Sequence, residues 1–344
     1  MKALSKAFRS CLAVSALMGS IGMFIVSGPV QAASKHTFTV AYITPSLAVP
    51  FWKWTYDGVV EGAKAVGAKV ISYDSHNDGS TQLANAQNAI TKHVDAIVIS
   101  PTDTSTTPAV LRVAARAHIP VVIAFIGTSS GKYLSYVTST DYGGAKQACS
   151  YLTKKMKERN WSGQGIGEVT IPLTRTNGKE RAKGCADAVK SAGDSIVGQL
   201  QFQTDTIAED RGLVQNIFTA HPNIKGFFCQ SDDCTLAAVR VFQQKGALNK
   251  SLVLVGFDAS PGTVDCIRHG LVLGSSVQQP VTVGKRSFEI AYKFVTKGIS
   301  PKKQDQQVKT ILVTKDNVNH VAQELIGTAY PESATRGASC PAGQ

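Results

Sequence analysis

Carboxylates, amides and aromatic rings recur in this 344-residue sequence in the pattern of a polar small-molecule site. Pro50-Phe51-Trp52-Lys53-Trp54 is an aromatic cluster opening a helix. Ser100-Pro101-Thr102-Asp103, Gln230-Ser231-Asp232-Asp233, Gly256-Phe257-Asp258 and Val277-Gln278-Gln279-Pro280 each set acceptors at the end of an apolar run. Carboxylates and amides take hydrogen bonds from hydroxyls while ring faces pack on C–H surfaces, which suits a polyol. The same set suits a cation. An acid at the end of a strand is also the ordinary N-cap of the next helix, and Asp232 or Asp233 is expected to act so. Trp54 fits a core position as well.

Catalytic patterns are weaker. Gly127-Thr128-Ser129-Ser130-Gly131 has the spacing of a nucleophile elbow, but an elbow must open a helix and Tyr133–Val137 reads as a strand. Gly163, Gly165 and Gly167 precede a strand instead of following one, so they make no dinucleotide cradle. The histidines are scattered, with no His-Glu-x-x-His, and no Cys-x-x-Cys occurs. Asp103 and Asp258 as an acid/base pair would need a separation that sequence does not give. A binding protein is expected, without enzyme activity, cofactor or metal.

These residues need elements to position them. Short β-rich runs alternate with amphipathic stretches: strands at Thr37–Thr44, Lys69–Asp74, Ala96–Ser100 and Pro120–Phe125, with helices at Tyr56–Val66, Thr81–Lys92 and Pro108–Ala117 between them. The pattern restarts after Asp141. A helix at Tyr142–Lys157 precedes strands at Gly167–Ile171, Ile196–Gln201, Gly226–Phe228, Leu252–Phe257, Leu273–Val277 and Val308–Thr314. Helices are read at Gly178–Ser191, Ala208–Ala220, Thr235–Lys245 and Pro280–Thr296. The fold class is α/β, with two similar doubly wound parallel lobes in series. Ligands of open α/β sheets sit beyond the carboxyl ends of the strands, where the acceptors fall. The tail Glu332–Gln344 reads as loosely packed unless Cys340 pins it.

Composition bounds the compartment and partners. Apolar residues make up 43% and charged residues 17%, a core-forming balance. The net charge is +12, yet the longest basic cluster, Lys154, Lys155, Lys157 and Arg159, reads as a solvated helix face and not as a nucleic-acid patch. Lys2, Lys6 and Arg9, the apolar run Cys11–Val26 and then Val30-Gln31-Ala32 form a signal peptide cut after Ala32. The apolar run is shorter than the ~20 residues a membrane span needs. The mature chain is expected to be soluble and exported. In an exported chain Cys149, Cys185, Cys229, Cys234, Cys266 and Cys340 favour disulfides over free buried thiols, with the connectivity open.

Seven segments in order resemble the ribose-type periplasmic sugar-binding proteins. They are Pro50-Phe51-Trp52, Ser100-Pro101-Thr102-Asp103, Glu180-Arg181-Ala182-Lys183-Gly184, Gln215-Asn216 with Ala220-His221-Pro222, Gln230-Ser231-Asp232, Val255-Gly256-Phe257-Asp258 and Val277-Gln278-Gln279-Pro280. Each is weak alone; the ordered set, from about Thr37 to about Thr314, is specific. The resemblance implies two Rossmann-like lobes joined by three hinge strands, a type I periplasmic binding protein. It places an N-terminal lobe at 33–139 plus 280–308, a C-terminal lobe at 140–279, and a final strand and tail at 309–344, after a leader at 1–32. It implies a monomer that binds a small sugar or polyol-like ligand and delivers it to an ABC permease in the inner membrane, without nucleic acid. A periplasmic sensor signalling to a membrane receptor or kinase is the alternative. A DNA-binding regulator is set aside, because the leader stands where its helix-turn-helix would be.

By resemblance, Phe51 and Trp52 fall on the aromatic positions of the first lobe and Asp103 on the acceptor after the third strand. Arg181 falls on the second-lobe donor. Asp258 and Gln278 fall on the acceptor and the hinge-side amide. Ser231 stands where the family often has Asn, Val49 where Asn is usual, and Phe125-Ile126 where ribose binders have Asp-Arg. The loss of that charged pair implies a pocket with more apolar wall and a ligand other than ribose. The stretch Gln203–Arg211 matches poorly and assigns no aromatic to the second lobe.

Overall fold

The first lobe is built from β1 (Thr39–Thr44), α1 (Pro50–Lys64), β2 (Lys69–Asp74), α2 (Gly79–Thr91), β3 (Ala96–Ile99), α3 (Thr107–Arg116), β4 (Val121–Ala124) and β5 (Ser135–Ser139) in a computed structural model that describes residues 36–341. The segment read as a leader lies outside the described residues. The second lobe holds α4 (Asp141–Lys157), β6 (Gly165–Thr170), α5 (Thr176–Ser191), β7 (Ser195–Gln201), α6 (Ile207–Ala220), β8 (Gly226–Cys229), α7 (Asp232–Gln244), β9 (Val253–Phe257), α8 (Pro261–Arg268) and β10 (Gly274–Val277). The chain then returns through α9 (Pro280–Lys297) and β11 (Asp305–Val308), and crosses once more into β12 (Ile311–Thr314) and α10 (Val318–Leu325).

The sheet orders are β11-β5-β4-β3-β1-β2 and β12-β10-β9-β8-β6-β7. All pairs are parallel except β10 with β12. The α/β class and the two doubly wound lobes read from the sequence are therefore present. Central strands are buried on both faces, which explains the unbroken apolar runs Ala96–Ile99 and Val121–Ala124. The edge strand β7 instead alternates between half-buried and exposed residues.

Each sheet lies between two helical layers. In the first lobe α1 and α9 pack on one face, over Val59, Val98, Val122 and Phe288, and α2 and α3 cover the other, over Ala89, Ile97 and Leu111. In the second lobe α4 and α5 form one layer, and α6, α7, α8 and α10 the other. The α1–α9 crossing brings backbones into contact. A Cβ on Gly58 would lie 2.1 Å from the Val281 carbonyl oxygen, and one on Gly284 would lie 2.0 Å from that of Thr55.

Several sequence expectations shift. Helix α1 begins at Pro50 and not at Tyr56, because proline at its first position presets the helical φ. The short helices α8 and α10 were not anticipated. The expected single strand Val308–Thr314 is two strands in different sheets, parted at Lys309-Thr310. The segment from 309 onward thus adds β12 to the second sheet and packs α10 against α8.

The expected disulfides are present as Cys149–Cys185, Cys229–Cys234 and Cys266–Cys340. All three lie in the second lobe, and the last pins the tail.

Candidate functional site

Strand order reverses between β1 and β3 in one sheet and between β6 and β8 in the other. Loops leaving the carboxyl ends of strands on either side of such a switch diverge and leave a crevice. Here the two crevices face each other across a cleft with about 780 Å³ of atom-free space, part of it open to solvent.

The two walls differ in kind. The first lobe contributes Val49, Pro50, Phe51, Trp52, Trp54 and Asn77, none charged. The second contributes every charge: Arg175, Arg181, Asp205, Asp232, Asp233 and Asp258. Ile171, Asn177, Phe202, Gln203, Thr204 and Ser231 complete that wall, and Gln278 lies at the hinge.

The first-lobe wall is a braced aromatic block. Phe51 meets Trp52 edge-on at 4.9 Å and Phe125 at 4.8 Å, and Trp52 lies 6.0 Å from Phe125. Such pairs fix ring orientation as well as adding apolar contact. Trp54 reaches across to Tyr330 of the other lobe at 5.7 Å.

The second-lobe wall is organised by Arg181, which is 2% exposed on α5. Its Nε donates to Asp141 Oδ1 at 2.8 Å and its Nη1 to the Gln230 carbonyl at 2.8 Å. Asp258 Oδ2 lies 3.9 Å from the same Nη1, and the guanidinium sits 3.8 Å over the Phe257 ring. Burial pushes Asp141 and Asp258 up to about 6, against the pull of Arg181. Gln278 donates to Asp258 Oδ1 at 3.0 Å, leaving its own Oε1 unpartnered.

A second acidic group flanks this network. Ser231 donates its hydroxyl to Asp205 Oδ1 at 2.8 Å. Burial and the nearby Asp233 carboxylate push Asp205 up to about 7. Burial, with Asp232 beside it, pushes Asp233 up to about 6. Asp232 Oδ1 accepts from the Ser260 amide at 2.8 Å, joining α7 to the start of α8. The cap of α7 is Ser231, whose hydroxyl accepts from the Cys234 amide, and not Asp232 or Asp233 as expected.

The lobes are latched at the cleft mouth. Arg175 Nε donates to the Thr102 carbonyl at 2.9 Å, and the Thr176 amide to Thr104 Oγ1 at 3.0 Å. These bonds describe a closed arrangement.

Of the residues singled out from sequence, Phe51, Trp52, Arg181, Ser231, Asp258 and Gln278 line the cleft. Asp103 and Phe125 do not. Asp103 Oδ1 is taken by the Ser105 amide and hydroxyl at 2.8 and 2.7 Å. Burial raises its pKa, but the Ser105 and Thr174 hydroxyls and Arg175 outweigh that and hold it below the usual carboxylate range. Asp103 therefore belongs to the latch. Phe125 is 1% exposed and backs the aromatic block from behind. Ser129 sits in a loop between β4 and β5 with no helix, so the elbow is not formed.

Sequence reasoning missed Asn77, Arg175, Asn177, Phe202 and Asp205. All follow the carboxyl ends of β2, β6 or β7, so the strand-end rule applied to every strand would have found them.

The model of the periplasmic binding protein domain matches residues 40–299. The chain belongs to the periplasmic binding protein family. The family resemblance read from the ordered motifs is thus borne out, and the family is one of binding proteins. Among curated relatives of this binding protein, the ribose import binding protein of Escherichia coli (strain K12) is 28% identical over 273 residues, 79% of this chain and 90% of that one. The D-apiose import binding protein of Paraburkholderia graminis is 26% identical over 91% of this chain and 96% of its own. In fold, the binding protein is similar to a carbohydrate transporter solute binding protein from Agrobacterium radiobacter in complex with D-arabinose. The TM-score is 0.78 at 22% identity, covering 85% of this chain and 99% of that chain. Among the described residues no helix is long and apolar enough to cross a membrane, and no group of three His, Cys, Asp or Glu side chains is placed to hold a metal ion.

Proposed function

We propose that this protein is the exported solute-binding subunit of an ABC importer, taking a small sugar or polyol-like ligand between its lobes. It acts by binding and release and catalyses no reaction. The observation that carries this reading is the cleft itself: aromatic faces from one lobe oppose carboxylates, amides and guanidinium groups from the other, at the strand ends where α/β folds bind ligands. The names of the two relatives, import binding proteins for ribose and D-apiose, support the substrate class.

Phe51, Trp52 and Trp54 pack on the ligand's C–H surfaces. Arg181, Asp258, Ser231 and Gln278 exchange hydrogen bonds with its polar groups. Ligand contacts to both walls favour the closed state, and a membrane permease reads that state from a monomeric binding protein in the periplasm.

The test is thermal denaturation of the mature protein against pentoses, hexoses and polyols, neutral and amino-substituted. A specific ligand at 100 times its Kd adds about 2.7 kcal/mol and raises Tm visibly. Silence across the whole panel would reject the substrate class. Small-angle scattering on any hit should show the ligand-bound form at least as compact as the free one.

A further inference from the structure

We propose that the ligand carries a protonated amine alongside its hydroxyls, as in an amino sugar or amino polyol, and that Asp205 and Asp233 receive it against the aromatic wall. This rests on the reading of the cleft as a solute site and narrows it.

The first argument is charge. Four carboxylates line the cleft, Asp205, Asp232, Asp233 and Asp258, against two guanidinium groups. Arg181 is committed to Asp141, which is not part of the lining, and to the Gln230 carbonyl. Arg175 spends its Nε on the latch to Thr102. Arg175 is the one cation acting on Asp205 and none acts on Asp233, so the corner where these two carboxylates meet keeps an excess of negative charge. Asp210 lies behind them on the first turn of α6, fully buried with neither oxygen bonded.

The second argument is the kind of group left unpaired. Asn177 and Gln278 are 5% and 2% exposed, and each has a side-chain oxygen with no partner. Asp233 accepts no hydrogen bond from any described residue. The two buried unpaired atoms are both acceptors, which a donor-rich partner satisfies, while the Nη groups of Arg175 stay as donors on the same wall. Buried acceptors left without donors are costly, and an ammonium offers three donors on one atom. Aromatic faces complete a cation site, and Phe51, Trp52, Trp54 and Phe202 supply them. A metal ion does not fit, because no three of these groups converge as ligands.

The experiment compares matched pairs by calorimetry at pH 7: D-glucosamine with D-glucose, D-galactosamine with D-galactose, and 2-amino-1,3-propanediol with glycerol. The expected result is that at least one amine binds about tenfold or more tightly than its neutral parent, the worth of one charge-assisted contact. In Asp205→Asn and Asp233→Asn that ratio should fall toward one. If either variant fails to fold, the other variant and the wild-type pairs carry the test. Neutral parents binding as well as or better than their amines would overturn the amine and leave the solute-site reading standing. No binding in either series, together with silence across the wider pentose, hexose and polyol panel, would overturn both.

Discussion

Phe125 and Asp258 occupy the same place in the two lobes. Each is the first residue after the fourth strand of its sheet, and each has a left-handed backbone, φ +64° and +67°. Each amide donates to the neighbouring strand, Phe125 to Val137 at 2.9 Å and Asp258 to Ser276 at 2.8 Å. Hydroxyls from that strand then donate to the carbonyl of each, from Tyr136 and Thr138 in one lobe and Ser275 in the other. The backbone device is repeated; the side chains are opposites. The difference sets a buried ring behind the apolar wall of the cleft and a carboxylate in the charged one.

The equivalence predicts an inverted ranking at Phe125. Phe125→Ala should cost about 3–5 kcal/mol from the lost ring packing. Phe125→Gly should be more stable than Phe125→Ala by about 1 kcal/mol, since only glycine holds a positive φ without Cβ strain. Urea denaturation checks this; alanine at or above glycine would mean the backbone relaxes out of the left-handed region.

Arg181→Ala should damage both stability and binding. The guanidinium is buried against Asp141, and removing it strands a carboxylate. The loss should be about 3–5 kcal/mol, and Asp141→Asn in the same chain should recover part of it. An unchanged denaturation midpoint with weakened binding would show that Arg181 serves the ligand alone.

Stability of the free protein should fall as pH rises from about 4 to 8. Burial pushes Glu168 and Asp205 up to about 7 and Asp210 up to about 8, while the same groups ionise near 4 in the unfolded chain. In that window the folded state holds more protons, so each group lowers stability by at most about 1.4 kcal/mol per pH unit. Below about 4 both states are protonated and the effect vanishes. Asp210→Asn should flatten the profile and raise stability at pH 8; a profile unchanged by that variant would assign the slope to other groups.

The disulfides should rank by the loop each closes. Their sequence separations are 74 for Cys266–Cys340, 36 for Cys149–Cys185 and 5 for Cys229–Cys234. Loop-closure entropy gives about 4.5, 3.8 and 2 kcal/mol in that order. Paired Cys→Ala variants measured by denaturation check the ranking. The shortest bridge should matter least for folding but most for binding, because it frames Ser231, Asp232 and Asp233.

The alternation of apolar strands and amphipathic helices was legible because strands buried on both faces are mostly apolar, with Glu168 in β6 and Ser275 and Ser276 in β10 as buried exceptions. The start of α1 was less so: Phe51, Trp52 and Trp54 serve the cleft and not a single core stripe, so periodicity begins at Tyr56. The break at Lys309-Thr310 carries no glycine or proline, and two strands of different sheets read as one. In the site, Arg181 and Asp258 were found through family spacing. Phe202 and Asp205 were not, because the loop after β7 departs from that spacing. No sequence rule shows that Asp103 turns its carboxylate into its own loop.

The Cys266–Cys340 bridge joins two points of the second lobe, yet the chain between them visits the first lobe as α9 and β11 before returning. Two of the three crossings therefore lie inside one covalent ring. A protease cutting the largely exposed stretch 298–304 would open that ring without releasing a fragment, since the Cys266–Cys340 disulfide holds the two pieces together until it is reduced. A nick there would leave a single molecule whose lobes remain tied together.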